Sequence, residues 1–235
     1  MHLKSVAAGL VGSMCITAGV AGAQTGRPNE VPTLEQLRGA VERLDRGRIE
    51  RPASYDAMTP EQQEYVRGIL AGPRGAISGP LGVMMVSPGL GDVLQRAMAY
   101  ARFAGADGFG SVPPKLNELG ILMVARLWSA EYVWNAHARA GVRAGLSEEV
   151  VEAVRRGTRP ARMEPDVEAV YTFADELLAN RRVSDAAFRA ARAALGGDTG
   201  VVDLVGTMGL YQISSMLVVV DELAPAGTPV LPPLK

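Results

Sequence analysis

The sequence has very little cysteine and histidine, and this scarcity excludes several kinds of chemistry. It contains one cysteine, Cys15, and two histidines, His2 and His137, in 235 residues. Its net charge is only −1, so it lacks the excess of basic residues that nucleic-acid binding requires. We therefore expect no nucleic-acid partner.

The first 23 residues have the pattern of a secretory signal peptide. Lys4 supplies a positive charge, residues 5–20 are small and apolar, and an A-x-A cleavage site occupies residues 21–23. An uncleaved anchor and a lipoprotein attached at Cys15 are the alternatives, but the position of the A-x-A site favours cleavage. We expect a periplasmic or secreted protein that begins near Gln24 and has no membrane attachment.

Cleavage would remove both Cys15 and His2. The mature chain would then hold no cysteine and a single histidine, His137. This composition excludes a disulfide, a cysteine nucleophile and a metal site built from several histidine or cysteine ligands. The lost segment carries one lysine and no acidic residue, so the net charge would change from −1 to −2.

Helical spacing of apolar residues runs through the mature sequence, and no segment alternates convincingly between apolar and polar residues. Thr59-Pro60-Glu61-Gln62 is a strong helix start, because threonine caps, proline suits the first position and glutamine completes a capping box. We predict an all-α protein. The predicted helices cover residues 33–45, 59–71, 113–128, 129–144, 165–180, 184–195 and 201–222, and further helices open at Ser87 and Ser147.

Residues 204–220 form an uncharged stretch that is long for a soluble protein. It has 17 residues, including Gln212, Ser214 and Ser215, whereas a membrane-spanning helix needs roughly 20 mostly apolar residues. We therefore predict a helix of the core or of a subunit interface.

Glu118 and His137 are the first candidates for chemistry. Glu118 lies in an otherwise apolar helix, where a carboxylate needs a partner. Glu131 precedes His137 by six residues and points about 120° away from it on the same helix. Glu118, on the preceding helix, is therefore the better partner for His137. A lone histidine on an apolar helix is also compatible with a hydrogen-bonded core residue.

Two groups of arginines are predicted to lie on solvated faces. A role in attracting an anionic substrate is the alternative for both. They are Arg46, Arg48 and Arg51, and Arg155, Arg156, Arg159 and Arg162.

An ordered set of motifs resembles the carboxymuconolactone decarboxylase family. The motifs are N-E-L-x-I-L at residues 117–122, A-E-Y-V-W-x-x-H at 130–137 and G-L-S-E-E-V at 145–150, with similar segments at 79–90 and from 170 to 211. The resemblance covers about residues 58–223. It implies an alkylhydroperoxidase D-like helical bundle, a homotrimer or homohexamer, and no metal or organic cofactor.

The sequence patterns and the resemblance together predict four parts of the chain. Residues 1–23 are the signal peptide, 24–57 an N-terminal helical extension and linker, 58–223 the carboxymuconolactone decarboxylase-like domain, and 224–235 a Pro-rich tail. The alkylhydroperoxidase D-like branch of the family places C-x-x-C just before the histidine. Ala130 and Val133 hold those positions here, which removes the thiol peroxidase activity of that branch.

The implied function is that of an exported lyase or isomerase acting on a small carboxylated lactone or enol. His137, with an ordinary pKa near ~6.5, is the expected acid–base group, and Glu118 would orient it. Glu131 would pair with a cation or position the substrate. Tyr132 and Trp134 would wall a small pocket, with core packing as the alternative.

Two other functions stay open at this point. One is a non-catalytic exported binding or assembly protein on the same scaffold. The other is a thiol-less relative of the peroxiredoxin-type proteins with a residual redox role, which the missing cysteine pair disfavours.

Overall fold

The described part of the chain is helical throughout. A computed structural model describes residues 31–103, 111–223 and 231–233, and no strand occurs among them. The predicted all-α fold class is confirmed. The helices are α1 (Leu34–Glu42), α2 (Pro60–Ala71), α3 (Pro80–Met84), α4 (Pro88–Phe103), α5 (Pro114–Leu127), α6 (Glu131–Arg143), α7 (Glu148–Arg156), α8 (Pro165–Asn180), α9 (Asp185–Ala194) and α10 (Asp198–Val220), with a short 3₁₀ helix at Tyr55–Ala57.

Two predicted segments fall largely outside the described residues. The signal-peptide pattern of residues 1–23 lies there entirely, and so does most of the tail from 224 to 235.

α5 is the central helix of the bundle. All residues from 116 to 126 are buried, and α6, α8 and α10 pack around them. Gly120 allows α10 to approach closely, because a Cβ there would lie only 3.0 Å from Leu204 Cδ1. Polar side chains on α5 are therefore held inside the protein, where each needs a partner.

α10 has two different faces. By length and composition it is the one described helix long and apolar enough to cross a membrane, and 44% of its most apolar window is buried inside the protomer. One face packs against α3, α4 and α5, while Val202, Val205 and Val220 on the other are exposed. The helix thus belongs partly to the core and leaves an apolar face uncovered in the protomer.

Helical spacing in the sequence predicts that Leu90 is buried on one stripe with Met98 and Ala101, and for Leu90 this prediction is wrong. Its side chain is 60% exposed, and α4 instead turns Gly91, Gln95 and Met98 inward. Helical spacing identifies an apolar stripe, but it does not show which face of the helix the rest of the protomer covers.

The residues before α2 join the same core as the rest of the bundle. Leu37, Val41 and Leu44 are buried in one hydrophobic cluster with α5 and α10. Arg51 was predicted to be solvated, and this is wrong: its side chain is buried and forms an ion pair with Asp221, which is itself fully buried. The cause is tertiary, because Asp221 ends α10 and meets Arg51 only when the chain folds back.

Candidate active site

Helices α4, α5, α6 and α10 bring four polar side chains together inside the bundle. They are Arg102, Glu118, His137 and Tyr211. Glu118, His137 and Tyr211 are at most 6% exposed. Polar groups at this depth must satisfy one another or hold a ligand.

Glu118 and His137 form a direct contact between consecutive helices. The Nδ1 atom of His137 lies 2.6 Å from the Oε2 atom of Glu118. The short turn between α5 and α6 sets the two helices side by side, which gives the pairing expected from their spacing. The catalytic role of the pair stays a prediction.

Arg102 binds the other oxygen of Glu118. Its Nη2 atom donates to Oε1 at 3.2 Å, which joins Arg102, Glu118 and His137 into one chain of contacts. The sequence analysis did not identify Arg102. The available signal was weak: a buried carboxylate needs a charge partner, and Arg102 precedes Glu118 by 16 residues at the end of a neighbouring helix.

His137 is held as a neutral imidazole with a defined tautomer. Burial lowers the pKa of His137, and it outweighs the opposing effect of Glu118, while the charges of Arg102 and Arg74 lower the pKa further. A carboxylate held by Arg102 acts as an acceptor, so the Nδ1–H group of His137 donates to it. The Nε2 atom therefore carries the lone pair and is the atom that can take a proton.

Tyr211 forms one wall beside the imidazole. Its ring meets the His137 ring edge to face, with 4.8 Å between centroids and 82° between planes. Burial raises the pKa of Tyr211, and this effect outweighs the opposing charges of Arg102 and Arg74. The phenol therefore keeps its proton at neutral pH and remains a hydrogen-bond donor.

Arg74, in the loop after α2, is a second cation beside this group. Its guanidinium lies 5.4 Å from the centroid of the Phe103 ring, and that of Arg102 lies 5.6 Å from the same centroid. Burial, together with the charge of Arg102, lowers the pKa of Arg74. The sequence analysis missed Arg74, because nothing in the local sequence indicates that this loop folds over α4.

The other three predicted site residues lie near the start of α6, before His137. Glu131, in the first turn of α6, accepts a hydrogen bond from the backbone N–H of Leu231 at 2.7 Å. Tyr132 donates to Asp45 Oδ2 at 2.7 Å, and burial raises the pKa of Tyr132 to about 12. Trp134 is 2% exposed and packs in the core. Their roles toward a substrate stay predictions.

No cluster of three or more histidine, cysteine, aspartate or glutamate side chains suited to a metal ion occurs within residues 31–103, 111–223 and 231–233. Ala130 and Val133, which hold the positions of the C-x-x-C pair, are both buried.

The stability of the protein is expected to fall as the pH drops below about 6.5, partly through His137. The groups facing this side chain are Glu118, Arg102, Arg74 and Tyr211. Because the pKa of His137 is lowered in the folded protein, the unfolded chain takes up the proton first. The contribution of His137 to the free energy of unfolding is therefore complete above the pKa of histidine in the unfolded chain. As the pH falls from that value to the pKa in the folded protein, the contribution is lost at up to about 1.4 kcal/mol per pH unit.

Urea denaturation of the wild type and His137→Gln, from about pH 5 to about pH 8, measures this contribution. The wild type should show the steeper decline of unfolding free energy on the acid side. Equal slopes for the two proteins would contradict a neutral, buried His137.

Residues 93–176 match the carboxymuconolactone decarboxylase family, which confirms the resemblance over that part of the chain. The matched range contains Glu118, His137 and the Ala130 and Val133 positions, and it is narrower than the predicted range of 58–223. Arg74 and Tyr211 lie outside it. No curated protein matches the chain.

Proposed function

We propose that the protein is an exported, cofactor-free lyase or isomerase, because residues 93–176 match the carboxymuconolactone decarboxylase family. It would act by acid–base chemistry on a small carboxylated lactone or enol. The observation that carries this proposal is the buried chain from Arg102 through Glu118 to His137. The signal-peptide pattern of residues 1–23 supports a periplasmic or secreted location.

Decarboxylation of such a lactone needs a proton and a place for negative charge. Loss of CO₂ breaks a carbon–carbon bond and leaves its electron pair delocalised onto the lactone carbonyl oxygen. His137 takes a proton from solvent at Nε2, while Glu118 stabilises the resulting imidazolium through Nδ1–H. Nε2–H then delivers that proton to carbon. In an isomerisation, the same atom removes a proton from one carbon and returns it to another.

The remaining polar groups would stabilise the dienolate oxygen. Tyr211 keeps its proton and Arg102 its charge, so both can donate a hydrogen bond toward developing negative charge. In a buried site such donors stabilise a developing negative charge more than water does, because they are already oriented before the charge appears. Thiol chemistry is not part of the proposal, since Ala130 and Val133 carry no sulfur.

Turnover of a panel of carboxylated five-membered lactones by the mature protein tests the proposal. CO₂ release reports a lyase, and a change in ring absorbance without CO₂ reports an isomerase. Activity that His137→Gln removes is the expected result. If no member of the panel is either turned over or bound, the proposal is overturned. That result would favour a non-catalytic assembly protein, which the exposed apolar face of α10 would suit.

We also propose that the protein is a symmetric homotrimer or homohexamer assembled through α4 and α10. Val93 and Tyr100 on α4 are more than half exposed, as is Val202 on α10. Tyr100 donates to Asp203 at 3.3 Å, so the two exposed apolar faces are neighbours. A patch formed by two helices in this way is typical of an interface.

Light scattering of Val202→Glu and Val93→Glu tests this assembly. Both variants should lose the oligomer, because each would bury a carboxylate without a partner. Phe188→Glu, at an apolar position of α9 that is 40% exposed, is the matched control and should keep the oligomer. A wild-type protein that runs as a monomer would contradict the proposal.

A further inference from the structure

We propose that Arg74 and Arg102 together bind one carboxylate group of the substrate. The role of this bound carboxylate in a reaction rests on the proposed function. Carboxylate binding does not rest on it, because binding can be measured without turnover.

Arg74 presents the edge of its guanidinium that matches a carboxylate. Its Nε and Nη2 atoms are buried, and no acceptor among the described residues lies within hydrogen-bond distance of either. The Nε atom of Arg102 is in the same condition. Buried N–H groups without acceptors are costly, and a bound carboxylate would supply acceptors to both N–H groups on this edge of Arg74.

The same edge binds carboxylates elsewhere in this protein. In each of three other pairs, the Nε and Nη2 atoms of an arginine contact the two oxygens of one acidic side chain. These pairs are Arg38–Asp56, Arg155–Glu152 and Arg192–Asp198. In the first pair the distances are 2.9 and 3.1 Å. Two parallel hydrogen bonds of this kind select a planar carboxylate.

The charges around the two arginines leave one positive charge unbalanced. Glu118 neutralises Arg102, whereas the groups that act on Arg74 are Arg102 and the phenols of Tyr65 and Tyr211. None of these described groups brings a negative charge to Arg74. A buried cation without a counter-ion is strongly unfavourable, and one bound carboxylate would restore the balance.

The two arginines are connected to the proton-transfer group. The Phe103 ring lies against both guanidinium groups. Glu118 contacts Arg102 through one oxygen and His137 through the other. The charges of both arginines also lower the pKa of His137, so a ligand that they hold would lie within electrostatic reach of the imidazole.

Calorimetric titration with 2-furoate tests the site, with 2-furamide as the neutral analogue and sulfate as a second anion at matched ionic strength. Wild type should bind 2-furoate and neither of the others. Arg74→Met should weaken 2-furoate binding at least tenfold. Arg38→Met, which removes an exposed arginine that also holds a carboxylate through two bonds, is the matched control and should bind like the wild type.

Thermal stability provides an independent measurement on the same variants. Arg74→Met removes a buried charge without a counter-ion, so the ligand-free variant should melt at the same temperature as the wild type or higher. Its melting temperature should no longer rise with 2-furoate. Unchanged 2-furoate affinity in Arg74→Met would overturn the proposal, as would equal binding of 2-furamide or sulfate.

The outcome is separable from that of the proposed function. If 2-furoate binds through Arg74 and no lactone is turned over, the carboxylate site stands and the lyase or isomerase proposal fails. If Arg74→Met turns over a lactone with unchanged KM, the carboxylate site fails and the enzymatic function stands.

Discussion

Replacing His137 with glutamine is expected to lower turnover by about 10²–10⁴-fold in a protein that still folds. Glutamine fills a similar space and can donate to Glu118, but it has no nitrogen that takes up a proton near neutral pH. Glu118→Gln should lower turnover as well, because it no longer stabilises the imidazolium. The double variant should lower turnover little more than the worse single variant does, because the effects of substituting residues that act as one unit are not additive.

Glu64→Gln is the matched control for Glu118→Gln, because its carboxylate is 72% exposed and also pairs with an arginine. It should leave turnover unchanged. Rates are to be measured across the pH range, since loss of the group that takes up the proton should also remove a limb of the pH profile. Full activity in a folded His137→Gln protein would falsify the catalytic assignment.

Replacing Asp221 with asparagine is expected to lower the free energy of unfolding by about 3–5 kcal/mol. Asp221 is fully buried, accepts from the backbone N–H of Ile49 at 2.7 Å, and pairs with the buried guanidinium of Arg51. Asparagine can still accept from Ile49, so the main loss is the counter-charge of Arg51. Urea denaturation at neutral pH measures the effect.

Two further variants separate charge from packing. Arg51→Met combined with Asp221→Asn should recover part of the lost stability, because no uncompensated cation remains. Glu222→Gln alters the neighbouring exposed pair with Arg48 and should cost no more than about 1 kcal/mol. If Asp221→Asn costs as little as Glu222→Gln, the buried pair does not contribute as described.

Helix starts were predictable because capping is local. Thr59 and Gln62 form the capping box expected from their spacing, with the threonine side chain accepting from the backbone of Gln62 at 3.3 Å. The contact between Glu118 and His137 could also be predicted from the sequence, for a similar reason. Their helices are consecutive and closely connected, so helical periodicity nearly determines which side chains can meet.

Groups brought together across the fold were not predictable in this way. Arg74, Arg102 and Tyr211 belong to three separate parts of the chain, and no pattern in any one of them indicates the other two. The short helix α3 was also missed, because Gly79-Pro80 is equally typical of a loop. Gly79 has a φ of +53°, which favours glycine, and a Cβ there would lie 2.3 Å from the Tyr132 ring, so the backbone conformation and a tertiary neighbour both explain this glycine.

The pair between Arg51 and Asp221 also sets an order of events during folding. The two residues are 170 positions apart, so their contact closes a loop that contains nearly all of the bundle. The entropy lost on closing a loop grows with its length, and contacts of large sequence separation slow folding. The contact between Arg51 and Asp221 therefore cannot form until α10 has been synthesised. The bundle is thus completed by a joining of its N-terminal segment to its last helix.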